Sequence, residues 1–326
     1  MRRTTIAAAA ALALAGTAAG PAAAQDAEDI SITLIPGLTT DAFYITMREG
    51  AQRAADALGI DFSWQGAEEF EPVMQTPVLD AVIARGPDAI LIAPTDSTQL
   101  IGPLQRANEQ GIPVVTVDTF IDDGQYQDGQ GPGDFPVSYV ASDNIEGGRI
   151  AARAMADAIG EEGAVYVSNV RPGISTTDQR EEGFKAEMEN YPNITVMDTQ
   201  YNENDASMAA SQFQAVLARE PDLAGVFGAN LFSALGAANG VQNADMGDDV
   251  TVIAFDAPES IVGEIDSGVV DMAIAQHPAE IGYFGVMVAY AHLTGQSVPR
   301  LIGTGFTVID GSNVDDPEIQ KFIYSD

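Results

Sequence analysis

The sequence predicts an α/β protein with doubly wound parallel sheets, because buried strands alternate with helices along the chain. Short apolar runs without polar alternation are typical of strands buried on both faces of a parallel sheet. Such runs occupy residues 89–94, 113–118, 163–170, 223–230 and 250–256. Segments with helical spacing lie between runs of this kind, at 43–59, 147–160 and 207–220. This alternation indicates helices on both sheet faces and right-handed crossovers.

The N-terminus predicts a secretory signal peptide over residues 1–24. Arg2 and Arg3 precede an apolar run rich in alanine and leucine, and the three alanines at 22–24 offer a small-residue cleavage site. That run is too short for a membrane anchor, which needs roughly 20 apolar residues. The chain has no cysteine, so it can carry neither disulfides nor a lipid-modified cysteine. We therefore expect a soluble, exported protein.

The charge balance argues against nucleic acid as a partner. The chain has 14 basic and 48 acidic residues, for a formal net charge of −34. Such a surface repels nucleic acid backbones and anionic membranes, and no cluster of basic residues offsets it. We therefore expect a small molecule rather than a polyanion as the ligand.

The number of strand candidates, at least ten, predicts two sheets and two domains. One long segment without a predicted element, residues 121–136, is rich in glycine and aspartate. It separates four strand–helix units from a second series that begins near residue 138. We expect the two domains to meet around this segment.

Polar and aromatic side chains follow the predicted strands, where ligands bind in open parallel sheets. The residues that end apolar runs are Asp118, Asn230, Asp256 and Gln276. Asp41 lies just after the first strand and precedes Phe43 and Tyr44, while Arg180 lies in the segment after 163–170. Because carboxyl ends of parallel strands share one edge, these residues are expected to converge there.

This set of groups suits a polyhydroxylated ligand. Carboxylates accept hydrogen bonds from hydroxyls, and arginine and amide groups donate to hydroxyl oxygens. Aromatic faces can cover the apolar C–H side of a sugar ring. In a helix, the positions three and four residues from Arg180 hold no acid, so a helical ion pair does not account for it. We expect its partners to be the oxygens of a ligand, together with pocket carboxylates such as Asp118 or Asp256.

Structural roles are the alternative for several of these residues. Asp41 can cap a helix, and Asp118 and Asp256 can be ordinary turn residues. Phe43 and Tyr44 can belong to the core. Trp64 is compatible with either role and is left out of the predicted site.

Other chemistries lack their motifs. Two histidines and no cysteine do not make a typical zinc site, and no G-x-S-x-G, P-loop or G-x-G-x-x-G motif is present. The acidic stretch 122–134 departs from the calcium-loop pattern, which favours a solvated loop. We predict no catalytic residue, no metal and no cofactor.

Eight segments together carry a resemblance to a known family. They are 50–59, 92–97, 112–118, 141–148, 180–184, 226–230, 252–259 and 274–282. With these segments the chain resembles periplasmic sugar-binding proteins of the ribose-binding type, the receptor subunits of bacterial ABC importers. The resemblance runs across nearly all of the chain after residue 24.

The resemblance implies a type I periplasmic binding protein fold, with a sugar pocket between two similar doubly wound parallel-sheet lobes. It implies that the pocket is lined by Asp41, Phe43, Tyr44, Asp118, Arg180, Asn230, Asp256 and Gln276. Two departures from ribose binders are Thr119, where they have an arginine, and Asn204, which takes an aromatic pocket position and is added to the predicted site. Another pentose, a hexose or a polyol can therefore be the ligand.

The resemblance also implies a three-segment hinge near residues 142–144, 276–277 and 303–307. The N-terminal lobe is expected to comprise 26–142 plus 277–304, and the C-terminal lobe 143–276 plus 305–326. The implied partners are a sugar or polyol and the ABC transporter permease of the inner membrane. We expect a periplasmic monomer without enzymatic activity.

Alternatives from the same residues stay open. Related folds bind other small polar ligands, such as furanone-type signals, and a fold does not exclude a sugar-acting enzyme. A regulator resembling the lac repressor shares the fold, but the predicted signal peptide and the missing DNA-binding headpiece argue against it.

Overall fold

The computed structural model describes residues 30–325, which form two α/β lobes. The signal peptide predicted for residues 1–24 lies outside the described residues. Within residues 30–325, no helix is both long and apolar enough to cross a membrane.

Strands and helices alternate through most of the chain. The strands are β1 (Ser31–Ile35), β2 (Asp61–Trp64), β3 (Ala89–Ile92), β4 (Val114–Val117), β5 (Ser138–Ser142), β6 (Gly163–Asn169), β7 (Ile194–Val196), β8 (Gln200–Tyr201), β9 (Leu223–Gly228), β10 (Thr251–Phe255), β11 (Met272–Gln276), β12 (Leu301–Thr304) and β13 (Phe306–Asp310). The helices are α1 (Ala42–Leu58), α2 (Pro72–Arg85), α3 (Ile101–Glu109), α4 (Asn144–Ala158), α5 (Ser175–Met188), α6 (Ala206–Arg219), α7 (Leu231–Ala244), α8 (Glu259–Ser267) and α9 (Pro278–Leu293). A short 3-10 turn at Gln320–Phe322 follows β13.

Each lobe is built on one sheet. The first sheet has the order β12-β5-β4-β3-β1-β2, and the second has β13-β11-β10-β9-β6-β7, with β8 beside β6. All neighbours in the first sheet are parallel. All four residues of both β3 and β4 are buried, as the lack of polar alternation in these runs predicts. The predicted α/β fold with two lobes is confirmed.

One strand departs from the predicted parallel arrangement, because β13 runs antiparallel to β11. β12 ends the first sheet and β13 begins the second, and only Gly305 lies between them. The chain therefore enters the second sheet at the edge where β11 ends and must run in the opposite direction. A parallel pairing of β13 with β11 would need a longer crossover connection, and Gly305 alone cannot provide one.

The chain passes between the two sheets at three places: after β5, after β11 and after β12. The segment 121–136 is not one of them, contrary to the expectation that the domains meet there. β5 follows this segment and pairs with β4 in the first sheet. The segment is anchored to its own lobe, because the buried Tyr126 hydroxyl lies 3.1 Å from Thr116 Oγ1 and accepts from Ile121 N at 3.1 Å.

Close helix packing in the second lobe positions Arg180. A Cβ atom on Gly148 of α4 would lie 2.0 Å from the Arg180 carbonyl oxygen, and one on Gly183 of α5 would lie 2.0 Å from the Ile145 carbonyl oxygen. Only glycine permits this approach of the two backbones. The backbone of α5 at Arg180 consequently packs directly against α4.

Candidate ligand-binding site

A cavity of about 420 Å³, its open mouth included, lies between the lobes at the carboxyl ends of the parallel strands. Both lobes contribute side chains to the wall. The lining residues are Asp41, Phe43, Tyr44, Phe70, Asp118, Val170, Ile174, Thr176, Thr177, Arg180, Asn204, Asn230, Asp256 and Gln276. The structure therefore brings all nine predicted site residues into one cavity.

Two carboxyl groups of the first lobe face the cavity. Asp41 precedes α1, and its Oδ1 accepts from the Phe43 backbone N–H at 2.9 Å. Asp41 therefore caps the helix, as its position in the sequence allows, and also lines the cavity. Asp118 follows β4 with a φ of 62°, and its Oδ2 accepts from the Tyr44 hydroxyl at 2.8 Å. This left-handed turn places the carboxyl group at the sheet edge.

The third carboxyl group, Asp256, comes from the second lobe. It follows β10 with a φ of 78°, and its Oδ1 accepts from Gln276 Nε2 at 2.9 Å and from the Tyr324 hydroxyl at 3.0 Å. Both bonds orient the carboxyl group and converge on one oxygen. Gln276 Oε1 is buried and has no hydrogen-bond partner among the described residues. It is therefore an acceptor that a hydroxyl of a ligand can satisfy.

Arg180 is the one cation of the cavity wall, and only 2% of its surface is exposed. Its Nε donates to Asn144 Oδ1 at 2.9 Å and its Nη1 donates to the Ala229 carbonyl at 2.9 Å. The guanidinium carbon lies 3.8 Å from the centre of the Phe255 ring. These neutral groups orient the side chain within the second lobe.

The predicted ion pairs of Arg180 with pocket carboxylates are not found in residues 30–325. None of its N–O distances to Asp118 or Asp256 falls within ion-pair range, and neutral acceptors hold Nε and Nη1 instead. Its charge still acts across the cavity, because it lowers the pKa values of Asp41 and Asp118 against the larger effect of their burial. Those two carboxyl groups and the guanidinium therefore interact at longer range.

Two amide side chains form a pair at the cavity wall. Asn230 Nδ2 donates to Asn204 Oδ1 at 2.7 Å, while Asn230 Oδ1 accepts from Ser233 N at 3.1 Å and caps α7. Asn204 has a φ of 62°, a conformation that asparagine tolerates better than most residues. The pair thus orients Asn204 as well as lining the cavity.

Burial raises the pKa values of Asp41 and Asp118. The pKa of Asp41 rises from 3.8 to about 7, chiefly through burial and secondarily through the charge of Asp256. The pKa of Asp118 also rises to about 7, again chiefly through burial. An empty cavity therefore holds these acids partly protonated at neutral pH. Donors from a ligand would favour their ionised forms.

Five lining residues were not predicted: Phe70, Val170, Ile174, Thr176 and Thr177. Phe70 follows β2 and stands alone among acidic residues, which is the one sequence signal that could have indicated it. Val170 and Ile174 flank a loop after β6 and are indistinguishable in sequence from core residues. Trp64, left out of the prediction, does not line the cavity and lies 5.5 Å below the Arg48 guanidinium.

Residues 32–297 match the model of the periplasmic binding protein domain. The chain belongs to the periplasmic binding protein family. The ribose import binding protein RbsB of Escherichia coli is 31% identical over 288 residues, which cover 88% of this chain and 92% of RbsB. This family consists of transport binding proteins rather than enzymes.

Solved structures of this family superpose on the chain. A solute-binding protein from Agrobacterium vitis, solved with α-D-tagatopyranose, is 66% identical with a TM-score of 0.91 and covers 91% of this chain and 100% of its own. A carbohydrate solute-binding protein from Agrobacterium radiobacter, solved with D-arabinose, is 28% identical with a TM-score of 0.84 and covers 92% and 100%. The predicted class, a solute-binding protein of ABC transporters, is confirmed.

Proposed function

We propose that this protein captures a neutral monosaccharide between its lobes and delivers it to the permease of an ABC importer. Ketohexoses in the pyranose form are the first class of sugar to test. The observation that carries this proposal is one cavity with three carboxyl groups, one guanidinium, three amides and aromatic rings. The choice of class rests on the Agrobacterium vitis protein, which is 66% identical and holds α-D-tagatopyranose.

Each chemical type of side chain in the proposed site recognises a different part of the sugar. Asp41, Asp118 and Asp256 accept hydrogen bonds from hydroxyl groups, and Arg180 donates to hydroxyl or ring oxygens. The amide groups of Asn204, Asn230 and Gln276 add donors and acceptors, and Phe43 and Tyr44 cover the C–H faces. A sugar phosphate or sugar acid would face three carboxyl groups and one cation, so we expect neutral sugars to be preferred.

We infer that the lobes close about the three passages between the sheets. The proposed N-terminal lobe comprises 26–142 plus 277–304, and the C-terminal lobe 143–276 plus 305–326. Closure would bury the sugar and form the surface that the permease recognises. Membership in the periplasmic binding protein family supports a location in the periplasm. We also propose that the protein is a monomer, and light scattering of the purified protein tests this.

The test is a titration of the purified protein, residues 25–326, with D-tagatose, D-arabinose, D-fucose, D-allose and D-ribose in a calorimeter. We expect D-tagatose to bind most tightly and each bound sugar to raise the melting temperature. Recovery of unchanged sugar after incubation, followed by NMR, separates a receptor from a sugar-acting enzyme. Failure of every sugar to bind would refute the proposal.

A matched pair of variants tests the site. Arg180→Ala should weaken binding by about 30-fold or more, since removing one partner of a desolvated charged hydrogen bond costs about 2–5 kcal/mol. Arg219→Ala, an exposed position at the end of α6, should bind as the wild type does. Circular dichroism must show that Arg180→Ala is folded, because Asn144 and Ala229 lose a donor. A folded variant with unchanged affinity would contradict the assignment.

A further inference from the structure

The loop 170–174, which follows β6 in the second lobe, reaches both the cavity and the first lobe. Val170 and Ile174 line the cavity. Arg171, between them, is not part of the lining and instead extends to the other lobe. Its Nη2 donates to the Thr95 carbonyl at 3.2 Å and lies 3.5 Å from the Phe70 carbonyl. Phe70 itself lines the cavity, so one residue of the wall is held by a cation from the opposite lobe.

Two carboxylates of the first lobe also face Arg171. Arg171 Nη1 lies 3.6 Å from Asp96 Oδ2, and Arg171 Nε lies 3.7 Å from Glu71 Oε1. The Arg171 and Asp96 side chains are only 15% and 11% exposed, which limits screening by solvent. The guanidinium thus contacts four acceptors of the first lobe at once, a pattern that the planar fork of arginine suits and lysine does not.

Asp96 is held in place for this contact by its own lobe. Its Oδ1 accepts from Thr98 N at 2.9 Å and from Gln99 N at 2.8 Å, and its Oδ2 accepts from Gln99 Nε2 at 2.9 Å. Burial acts to raise the pKa of Asp96, but these hydrogen bonds and the charge of Arg171 hold it below its ordinary value. Asp96 is therefore a fixed, ionised acceptor at neutral pH.

Two backbone contacts lie beside Arg171 and join the same lobes. Ser97 N donates to the Gly173 carbonyl at 3.2 Å, and Phe120 N donates to Ser175 Oγ at 3.1 Å. Both donors belong to the first lobe and both acceptors follow β6 in the second. These contacts between the lobes are made by polar groups, which water can satisfy when the lobes separate.

We propose that Arg171 is a closure residue, by which we mean a residue whose contacts hold the two lobes closed on the sugar. Its contacts with Phe70, Thr95, Asp96 and Glu71 form when the lobes close. This proposal rests on the proposed function. Contacts that exist only in the closed form add to the observed affinity, because ligand binding and closure are linked. Arg171 therefore determines affinity without touching the sugar.

The competing interpretation is that Arg171 stabilises the fold of its loop whether or not sugar is bound. The two interpretations differ in the unliganded protein. If Arg171 acts in closure, Arg171→Ala leaves the melting temperature of the unliganded protein unchanged and lowers that of the sugar complex. If its role is structural, both melting temperatures fall together.

The experiment measures D-tagatose affinity by calorimetry, and both melting temperatures, for the wild type and matched variants. We expect Arg171→Ala to weaken binding about tenfold, the loss of about one charged hydrogen bond. The affinity of Arg171→Lys should lie between those of the wild type and Arg171→Ala, because lysine keeps the positive charge but lacks the planar guanidinium. Glu71→Gln should weaken binding about twofold, and the Arg171→Ala/Glu71→Gln double variant should be no weaker than Arg171→Ala alone. Arg219→Ala is the control for loss of a positive charge.

Small-angle X-ray scattering with saturating D-tagatose gives a direct measure of closure. The Arg171→Ala complex should show a larger radius of gyration than the wild-type complex, while the unliganded forms agree. Equal affinity and equal radius in Arg171→Ala would overturn the closure role and leave the proposed function intact. Failure of the wild type to bind any of the sugars would overturn the proposed function, and the closure role with it.

Discussion

Replacing Asp118 with asparagine should stabilise the unliganded protein and weaken its binding of sugar. The Asp118 carboxyl group is buried and accepts one hydrogen bond, from the Tyr44 hydroxyl at 2.8 Å. Asparagine has the same shape, retains a carbonyl oxygen for Tyr44, and tolerates the φ of 62° at this position. The change therefore removes one titratable group and little packing.

The stability effect follows from the pKa of Asp118, which burial raises from 3.8 to about 7. Between these two values the unfolded chain has released the proton while the folded protein keeps it, so the wild type loses stability as the pH rises. One pKa unit corresponds to about 1.4 kcal/mol. Asp118→Asn should thus gain about 1–2 kcal/mol at pH 5 and up to about 4 kcal/mol at pH 8, with no further gain at higher pH.

The binding effect has the opposite sign. On the proposed function, a sugar hydroxyl would donate to an ionised carboxylate in the wild type and to a neutral amide oxygen in Asp118→Asn. Hydrogen bonds to charged groups contribute about 1.5–3 kcal/mol and neutral ones about 0.5–1.5 kcal/mol. We therefore expect the dissociation constant of D-tagatose to rise about fivefold to tenfold.

Urea unfolding followed by circular dichroism at pH 5 and pH 8 measures the first effect, and calorimetry at pH 8 measures the second. Asp266→Asn serves as the control, because Asp266 is exposed on α8 and does not line the cavity. A gain in stability that is the same at both pH values would refute the role assigned to burial. Unchanged affinity would refute the contact between Asp118 and the sugar.

Three further predictions concern the same cavity. Sugar binding should release protons near pH 7, because hydrogen bonds donated by the sugar lower the pKa values of Asp41 and Asp118, which are about 7 without it. The affinity should therefore rise from pH 6 to 8. Identical calorimetric heats in phosphate and Tris buffers would contradict this proton release. Gly148→Ala should destabilise the fold by roughly 1–3 kcal/mol or more in urea unfolding, since its Cβ would lie 2.0 Å from the Arg180 carbonyl oxygen. Trp64→Phe should leave the calorimetric affinity for D-tagatose unchanged, and a loss would show that Trp64 belongs to the site.

The strand-end residues show why much of the cavity could be predicted. Asp118 and Asp256 each follow a largely apolar run that forms a strand, β4 of the first sheet and β10 of the second, and within each sheet the ends of parallel strands meet at one edge. A pattern local in sequence thus carries information about a position in space. The same argument indicated Arg180 and Gln276 without any knowledge of the packing.

The partners of Arg180 could not be predicted in this way. The sequence suggested pocket carboxylates, whereas Asn144, Ala229 and Phe255 hold the guanidinium. These three residues belong to or follow different elements of the second lobe. Their distances to Arg180 depend on how α4 packs on α5 and on the position of both helices over the sheet.

The missed residues have the same explanation. Val170 and Ile174 are apolar and nearly or fully buried from solvent, so composition alone assigns them to the core. They line the cavity because their loop extends toward the first lobe. The role of Phe70 likewise depends on the approach of that loop.

The order of apolar runs and amphipathic segments in this sequence determined a two-lobed α/β protein, and the residues at its strand ends determined the chemistry of a site for a polyhydroxylated ligand. Both follow from periodicity and from the rule that parallel strands end at a common edge, which are local properties of a chain. Only the tertiary structure decided the direction of β13, the orientation of Arg180 and the contacts of Arg171 with the first lobe. Each of these depends on distances between segments far apart in sequence, which packing sets and no local pattern records.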